Sequence, residues 1–495
     1  MSVINFNSGY QVPGVYVQPV NTPTPSVAQL SADIIAVVGP AQGWLSNTEG
    51  DVLSTSTPVT LQKSGINVAT IIITDAANNV QASSGYVVNQ TGSGVSTVTT
   101  VQLAQGSPMS SSQVYYITYS YTDQNYYTPQ YFTDQQALFN TFGAPFTAAG
   151  GISSPLSLAG MLALQGASVV VIMPTQDTGG VATRTGLSTA YATLEAIGGI
   201  DLIVPLPVGI SGTVAVPGDV PGVAADIAAH CAATSDPSVG YSRTAILGFD
   251  TTVSVGPDTV AESTVSERVL LVWPNAYGYY NGQAQQTLSV GGFYAAAKLA
   301  ATLASQPVNR GLTRKIVAGF AGIPNSILST MTVPLKNQYS AAGVAVIEPA
   351  QGTQALWCRH GTTTLPTNAM TRELSLVRCG DAILQEFLLT YAQSGIIGDP
   401  ITSSLLDIIE SLATGALETL QGEGTIQGYT TPATAQDPNS PDVVNVSFGY
   451  SPSYPLNYLY VTYGINTATG TITPATSAST SGATSVYSGS TISSS

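Results

Sequence analysis

Charge is what this sequence has least of. Asp, Glu, Lys and Arg together make up 8% of 495 residues, against roughly 25% in ordinary globular proteins. The surface must therefore be covered by Ser, Thr, Asn, Gln, Gly and Tyr. Such a surface hydrates well but repels its own copies weakly, which suits close self-association. The 12 basic residues are outnumbered by 27 acidic ones, for a net charge of −15. That excludes the clustered Lys and Arg by which proteins displace counterions from nucleic acid. Arg310, Arg314 and Lys315 form one short basic cluster, read as a solvated or intersubunit patch before a phosphate site.

Residues that carry chemistry are also scarce. Two His in the whole chain leave general-base catalysis little to draw on. Cys231, Cys358 and Cys379 are far apart and match no disulfide or metal framework. They read as small buried hydrophobes of a reducing compartment. His230-Cys231 and Cys358-Arg359-His360 contain ligand-type residues, but adjacent residues rarely converge on one metal. There is no G-x-x-x-x-G-K-[ST] loop, no G-x-S-x-G elbow and no H-E-x-x-H. Residues 422–428 have the wrong spacing for G-x-G-x-x-G and follow a helix rather than a strand. Glu262 and Glu267 beside Arg268 read as a surface ion-pair cluster, not a carboxylate dyad. No catalytic, metal or cofactor site is assigned, and none is expected. Neither a secretory leader nor an apolar run of ~18 residues is visible. Assembly in a cytoplasm without membrane insertion is the expectation.

What is there begins with an extended apolar arm. Val12, Pro13, Gly14, Val15, Tyr16 and Val17 precede a Pro/Thr-rich run. Pro13-Gly14 makes a turn, after which Val15 and Val17 point one way and Tyr16 the other. A lone chain has little use for such an arm, whereas a neighbour's sheet edge can take it as an added strand. The apolar run starting at Ile34 reads as a buried strand. From about Leu53 to Asp123 the texture is all β. Tyr115, Ile117, Tyr119 and Tyr121 share one face of a strand, with Thr118 and Ser120 on the other. A small sandwich or barrel, inserted into the body, is expected over residues 53–123.

Helix and strand patterns alternate from Tyr131 onward, with near-continuous apolar strands beginning at Ser168, Asp201, Thr244 and Arg268. That pattern predicts a mainly parallel sheet covered by helices. Asp381 to Leu389 carries a helical apolar stripe, and Asp399-Pro400 is read as the cap and first residue of another helix. Near the end, residues 443–448 and 459–463 alternate as strands. The final residues are Ser, Thr, Gly and Ala and are expected to be flexible. The expected division is an arm over residues 1–28, an α/β core over 29–52 and 124–465, the β insertion over 53–123, and a tail over 466–495.

These features resemble those of contractile phage tail sheath proteins. The likeness rests on Pro13-Gly14-Val15-Tyr16-Val17, on Ala36-Val37-Val38-Gly39-Pro40-Ala41-Gln42-Gly43, and on Phe132-Thr133-Asp134 through Phe142-Gly143. It rests also on Ala342-Gly343-Val344-Ala345-Val346-Ile347 through Leu356-Trp357. After that Trp the family usually has Gly-x-Arg-Thr, where this chain has Cys358-Arg359-His360-Gly361-Thr362. The arm has Gln18-Pro19 in place of the family's acidic pair. The resemblance implies a non-enzymatic subunit that polymerises as stacked six-membered rings around a tail tube and contracts to drive it through a host envelope. The implied partners are further copies of the chain, the tube protein, and the baseplate and tail terminator proteins, in a virion. It implies that Val12 to Val17 is donated to a neighbour's core sheet. It implies a second donated strand near the carboxy terminus: Leu459, Tyr460, Val461, Thr462 and Tyr463, with residues 443–448 the other candidate. Two other readings stay open on the residues alone: a non-contractile self-assembling virion surface protein, and a nucleotide-dependent α/β enzyme.

Overall fold

Apolar runs too continuous to be half-exposed become the centre of one sheet. Its strands are β1 (Ile34–Pro40), β2 (Gln130–Phe132), β3 (Val169–Thr175) and β4 (Leu202–Pro205), then β5 (Thr244–Gly248), β6 (Val269–Trp273), β7 (Val344–Pro349) and β8 (Leu356–Cys358). This computed structural model describes residues 34–40, 45–92, 97–121, 124–147, 149–175, 181–212, 220–282, 284–351 and 355–459, with short strands at 464–465 and 472–473. The sheet order is β8-β7-β6-β5-β4-β1-β3-β2. All neighbours are parallel except the outermost pair at each side, β7–β8 and β2–β3. Every residue of β4, β5 and β6 is buried, as expected of strands covered on both faces. The mixed α/β architecture with a mainly parallel sheet is the one the alternation predicts.

Helices α1 (Gln135–Phe142), α2 (Pro155–Ala163), α3 (Arg184–Leu194), α4 (Val220–Thr234), α5 (Pro257–Thr264) and α6 (Gly292–Ala304) connect or cover these strands. Asp134 caps α1, accepting from the Ala137 N–H at 2.8 Å. Helix α6 is buried almost all round, which its run of Ala makes possible. Its small side chains let α2 approach closely. A Cβ on Gly166, just after α2, would collide with the Ala301 carbonyl of α6.

Beyond the sheet, α7 (Leu374–Ser394) and α8 (Ser403–Gly422) pack on each other. Ile383, Phe387 and Tyr391 meet Leu405, Ile409, Ala413, Leu417 and Leu420 in a separate apolar cluster. The cap of α8 corrects the sequence reading. Thr402, not Asp399, accepts from the first turn, taking the Leu405 N–H at 3.2 Å. Ile401, just ahead of it, packs against the same apolar cluster. That packing contact fixes where the chain enters and delays the helix past Pro400.

Among the described residues of 45–121 there are strands and a short 3-10 turn and no α-helix. Leu45–Val52, Val114–Tyr121 and Ile66–Thr74 form one antiparallel sheet; Val59–Thr60, Val98–Leu103 and Tyr86–Thr91 form another. They enclose their own cluster, including Leu53, Ile73, Val101, Tyr115, Ile117 and Tyr119. The shared face of Tyr115, Ile117 and Tyr119 therefore points inward. Leu45–Val52 pairs with Val114–Tyr121 along its full length, so the antiparallel pairing begins at Leu45 rather than Leu53.

Residues 456–495 form a second compact unit, apart from 1–455. In it, Gly464–Ile465 pairs antiparallel with Ile472–Thr473. The latter falls in the stretch expected to be flexible.

Candidate assembly interface

Open α/β sheets usually bind ligands where the strand order reverses, outside the carboxyl ends. Here that point lies between β1 and β4. There the Leu206 N–H donates to the Val38 carbonyl at 2.8 Å. A Cβ on Gly39 would lie 2.6 Å from that of Leu206. Among the described residues, no group of three or more His, Cys, Asp or Glu is placed to hold a metal ion. No helix among them is long and apolar enough to cross a membrane. All three cysteines are free and buried. Burial pushes each thiol up to about 12, which leaves them poor nucleophiles.

The chemistry of the molecule is therefore in its sheet edges and its charged pairs. At one edge, β2 is three residues long and Tyr131 is 57% exposed. At the other, residues 314–317 lie along β8. The Arg314 N–H donates to the Cys358 carbonyl at 2.7 Å, and the Val317 N–H to the Leu356 carbonyl at 2.8 Å. The hairpin Ala276–Asn281 with Gln286–Gly291 forms a two-stranded sheet of its own.

Val12, Pro13, Gly14, Val15, Tyr16 and Val17 lie outside the described residues, as do Tyr460, Val461, Thr462 and Tyr463. Leu459 is described and is 78% exposed. Leu456 and Tyr458, in the same segment, are exposed as well. The other carboxy-terminal candidate is already used within its own chain. Val444–Ser447 pairs antiparallel with Ala433–Gln436. Phe448 stacks on Phe387 of α7 with ring centroids 4.8 Å apart.

The amino ends of β4, β5 and β6 carry a row of ionisable groups. Asp201, Arg243 and Arg268 sit directly ahead of the three strands. Arg268 makes a two-pronged ion pair with Asp381 of α7, both arms 2.8 Å. This corrects the expected pairing with Glu262 or Glu267. The acceptor comes from a helix more than a hundred residues away, which sequence proximity does not reveal. Arg243 is fully buried, with its guanidinium 3.0 Å from the His230 ring. Burial and that cation lower His230 to about 4. The ring is thus neutral, and its 3.9 Å approach to the exposed Glu195 is not an ion pair. Burial raises Asp201 to about 6 in spite of the Arg378 guanidinium nearby. Elsewhere, His360 hydrogen-bonds the buried Glu373 at the start of α7. Lys336 and Arg359 share Glu348 of β7 at 2.5 and 3.5 Å. These pairs fasten α7 and the sheet edge in place. Asp381 and Glu373 carry no local sequence motif that marks them for this role.

No family model matches the chain. It is 29% identical over 478 residues to the tail sheath protein of Mycobacterium phage Bxz1, an alignment spanning 92% of this chain and 78% of that protein. The chain is thus a homologue of a phage tail sheath protein, in keeping with the resemblance of its motifs. Among solved structures it is similar to a chain of the anti-feeding prophage baseplate, with a TM-score of 0.50 and 12% identity, covering 92% of this chain and 100% of that one. It matches a sheath tail protein from Desulfitobacterium hafniense at a TM-score of 0.45 and 13% identity, over 90% and 97% of the two chains. The baseplate likeness is one of fold alone, and the last is too distant to carry an argument.

Proposed function

We propose that this chain is the structural subunit of a contractile tail sheath: it polymerises in six-membered rings stacked around a tail tube and shortens to drive the tube through a host envelope. The observation that carries this reading is the homology to a tail sheath protein over nearly the whole chain. The reading assigns no catalysis. Subunits are linked by donated strands. Val12 to Val17 is the amino-terminal one, and Leu459 to Tyr463 is the carboxy-terminal one. The pairing of Val444–Ser447 with Ala433–Gln436 supports this choice over residues 443–448. Main-chain hydrogen bonds of an added strand tolerate side-chain sliding, so such links hold while rings rotate and other contacts repack. The strands of residues 45–121 form an outer domain added to this body. Further partners are the tube, baseplate and terminator proteins of the same virion.

Deleting residues 1–20 tests the linkage. The truncated chain is expected to keep its circular dichroism spectrum and melt cooperatively, yet to sediment as a monomer where the full chain forms large particles. Ordered assembly by the truncated chain contradicts the donated-strand reading.

A further inference from the structure

Most of the chain's few cations are used inside the fold. Arg184 pairs with Asp226, Arg268 with Asp381, and Lys336 and Arg359 with Glu348. Arg243, Arg378 and Lys298 are buried. Of the five that remain, two are Lys63 and Arg372; the other three, Arg310, Arg314 and Lys315, lie close together, and among the described residues none of these three makes an ion pair. They belong to the segment that borders β8, and Arg310 and Arg314 are exposed. Arg314 holds a left-handed backbone, φ 57, uncommon for a side chain other than glycine. Its guanidinium lies over the Trp357 ring, 5.0 Å from the centroid. Ile316, next in the chain after Lys315, is 58% exposed. The segment thus presents fixed positive charge and one apolar side chain at the rim of the sheet.

A surface of opposite sign lies on α8. Asp407, Glu410 and Glu418 line a shallow groove of about 420 Å³ with Ser411, Thr414 and Gly415. The three carboxylates make no ion pair among the described residues. A Cβ on Gly415 would meet nothing within 4 Å, so the floor of the groove is open to an approaching side chain. The opposite face of α8 is buried through Leu405, Ile409, Ala413 and Leu417. The groove therefore faces away from the chain's own core.

We propose that these two surfaces dock on each other between neighbouring copies of this chain. The segment of residues 310–316 on one copy enters the α8 groove of the next. Charge complementarity selects the second copy as occupant: three cations that make no ion pair would face three carboxylates that make none, in a chain where cations are rare. A net charge of −15 makes copies repel in general, so an interface needs local attraction to fix register. The patches are different, so the contact is heterologous. Such contacts propagate into rings or helical stacks rather than closing a dimer. The inference rests on the sheath reading and names one of its subunit contacts.

The test uses the full-length chain in sedimentation velocity and electron microscopy. Arg310→Glu/Arg314→Glu/Lys315→Glu and, separately, Asp407→Lys/Glu418→Lys are each expected to lower the assembled fraction at least tenfold while keeping the wild-type melting profile. Both sets on one chain restore complementarity and are expected to restore assembly. If the triple reversal fails to fold, Arg310→Gln/Lys315→Gln and the salt dependence of wild-type assembly take its place, with weakening expected at high salt. Assembly of the reversed variants at wild-type levels, no rescue in the combined chain, or salt-independent wild-type assembly overturns the proposal and leaves the sheath reading intact. A wild-type chain that stays monomeric under every condition overturns the sheath reading itself.

Discussion

Arg268 and Asp381 stand 113 positions apart and meet in a two-pronged ion pair, 2.8 Å on each arm. One lies directly ahead of β6 and the other a third of the way along α7. The pair fastens the α7–α8 module to the end of the sheet where Asp201 and Arg243 also lie. Both side chains are largely buried, so removing one partner leaves the other uncompensated. Arg268→Ala is expected to destabilise the chain by about 3 kcal/mol, read as a lowered urea midpoint. Replacing both together, Arg268→Met with Asp381→Leu, recovers most of that loss. Equal losses in the single and double variants contradict the account.

The same end of the sheet makes stability depend on pH in two opposed ways. Asp201, at about 6, holds its proton more tightly folded than unfolded. Its contribution is full below about pH 4 and is lost as pH rises through 6. His230, at about 4, is held neutral when folded. Its contribution is full above about pH 6.5 and is lost as pH falls toward 4. Asp201 is faced by Arg378, Asp381 and Gln385 of α7 and by the Ile34 backbone of β1. Asp201→Asn is therefore expected to gain on wild type as pH rises from 4 to 6, by at most roughly 1.4 kcal/mol per pH unit. His230→Gln should lose less than wild type on acidification through the same window. Urea midpoints measured across that range decide both, and parallel curves for wild type and Asp201→Asn refute the first.

Within residues 45–121, the Tyr119 hydroxyl donates to the buried Glu49 carboxylate at 2.5 Å, and the Gln62 N–H donates to it at 3.1 Å. Tyr119→Phe removes one of these donors, at a cost of about 2 kcal/mol for a bond to a charged group. Amide exchange should speed up across residues 45–121 while amides of β4 to β6 stay protected, because the two apolar clusters share no residue. Uniform acceleration throughout the chain contradicts an independently stabilised β region.

Val15→Pro removes a ladder donor from the amino-terminal arm without altering any residue from 34 onward. It is expected to leave the melting temperature of the chain unchanged and to reduce assembly as the deletion of residues 1–20 does. Normal assembly by Val15→Pro contradicts the pairing of that segment as a central added strand.

Much of the body is legible in the sequence because the relevant signals are local. The apolar runs at Ile34, Val169, Leu202, Thr244 and Val269 become parallel strands since a strand buried on both faces tolerates little else. The alternation of Tyr115 to Tyr121 likewise predicts one buried face. What sequence reading missed depends on distant partners. Arg268 chose Asp381 over the adjacent Glu267, and Thr402 displaced Asp399 as a cap where Ile401 packs against the α7–α8 cluster. The Ala433–Gln436 strand took Val444–Ser447 as its partner. The segment bordering β8 has no strand pattern, and only its three basic residues drew attention to it.

The central claim is that copies of this chain build a tubular sheath. Negative-stain electron microscopy of the purified full-length protein, alone and with a tube protein from the same virion, tests it most directly. The account predicts hollow cylinders or stacked six-fold rings. Uniform compact monomers under every condition, tube protein included, would contradict it.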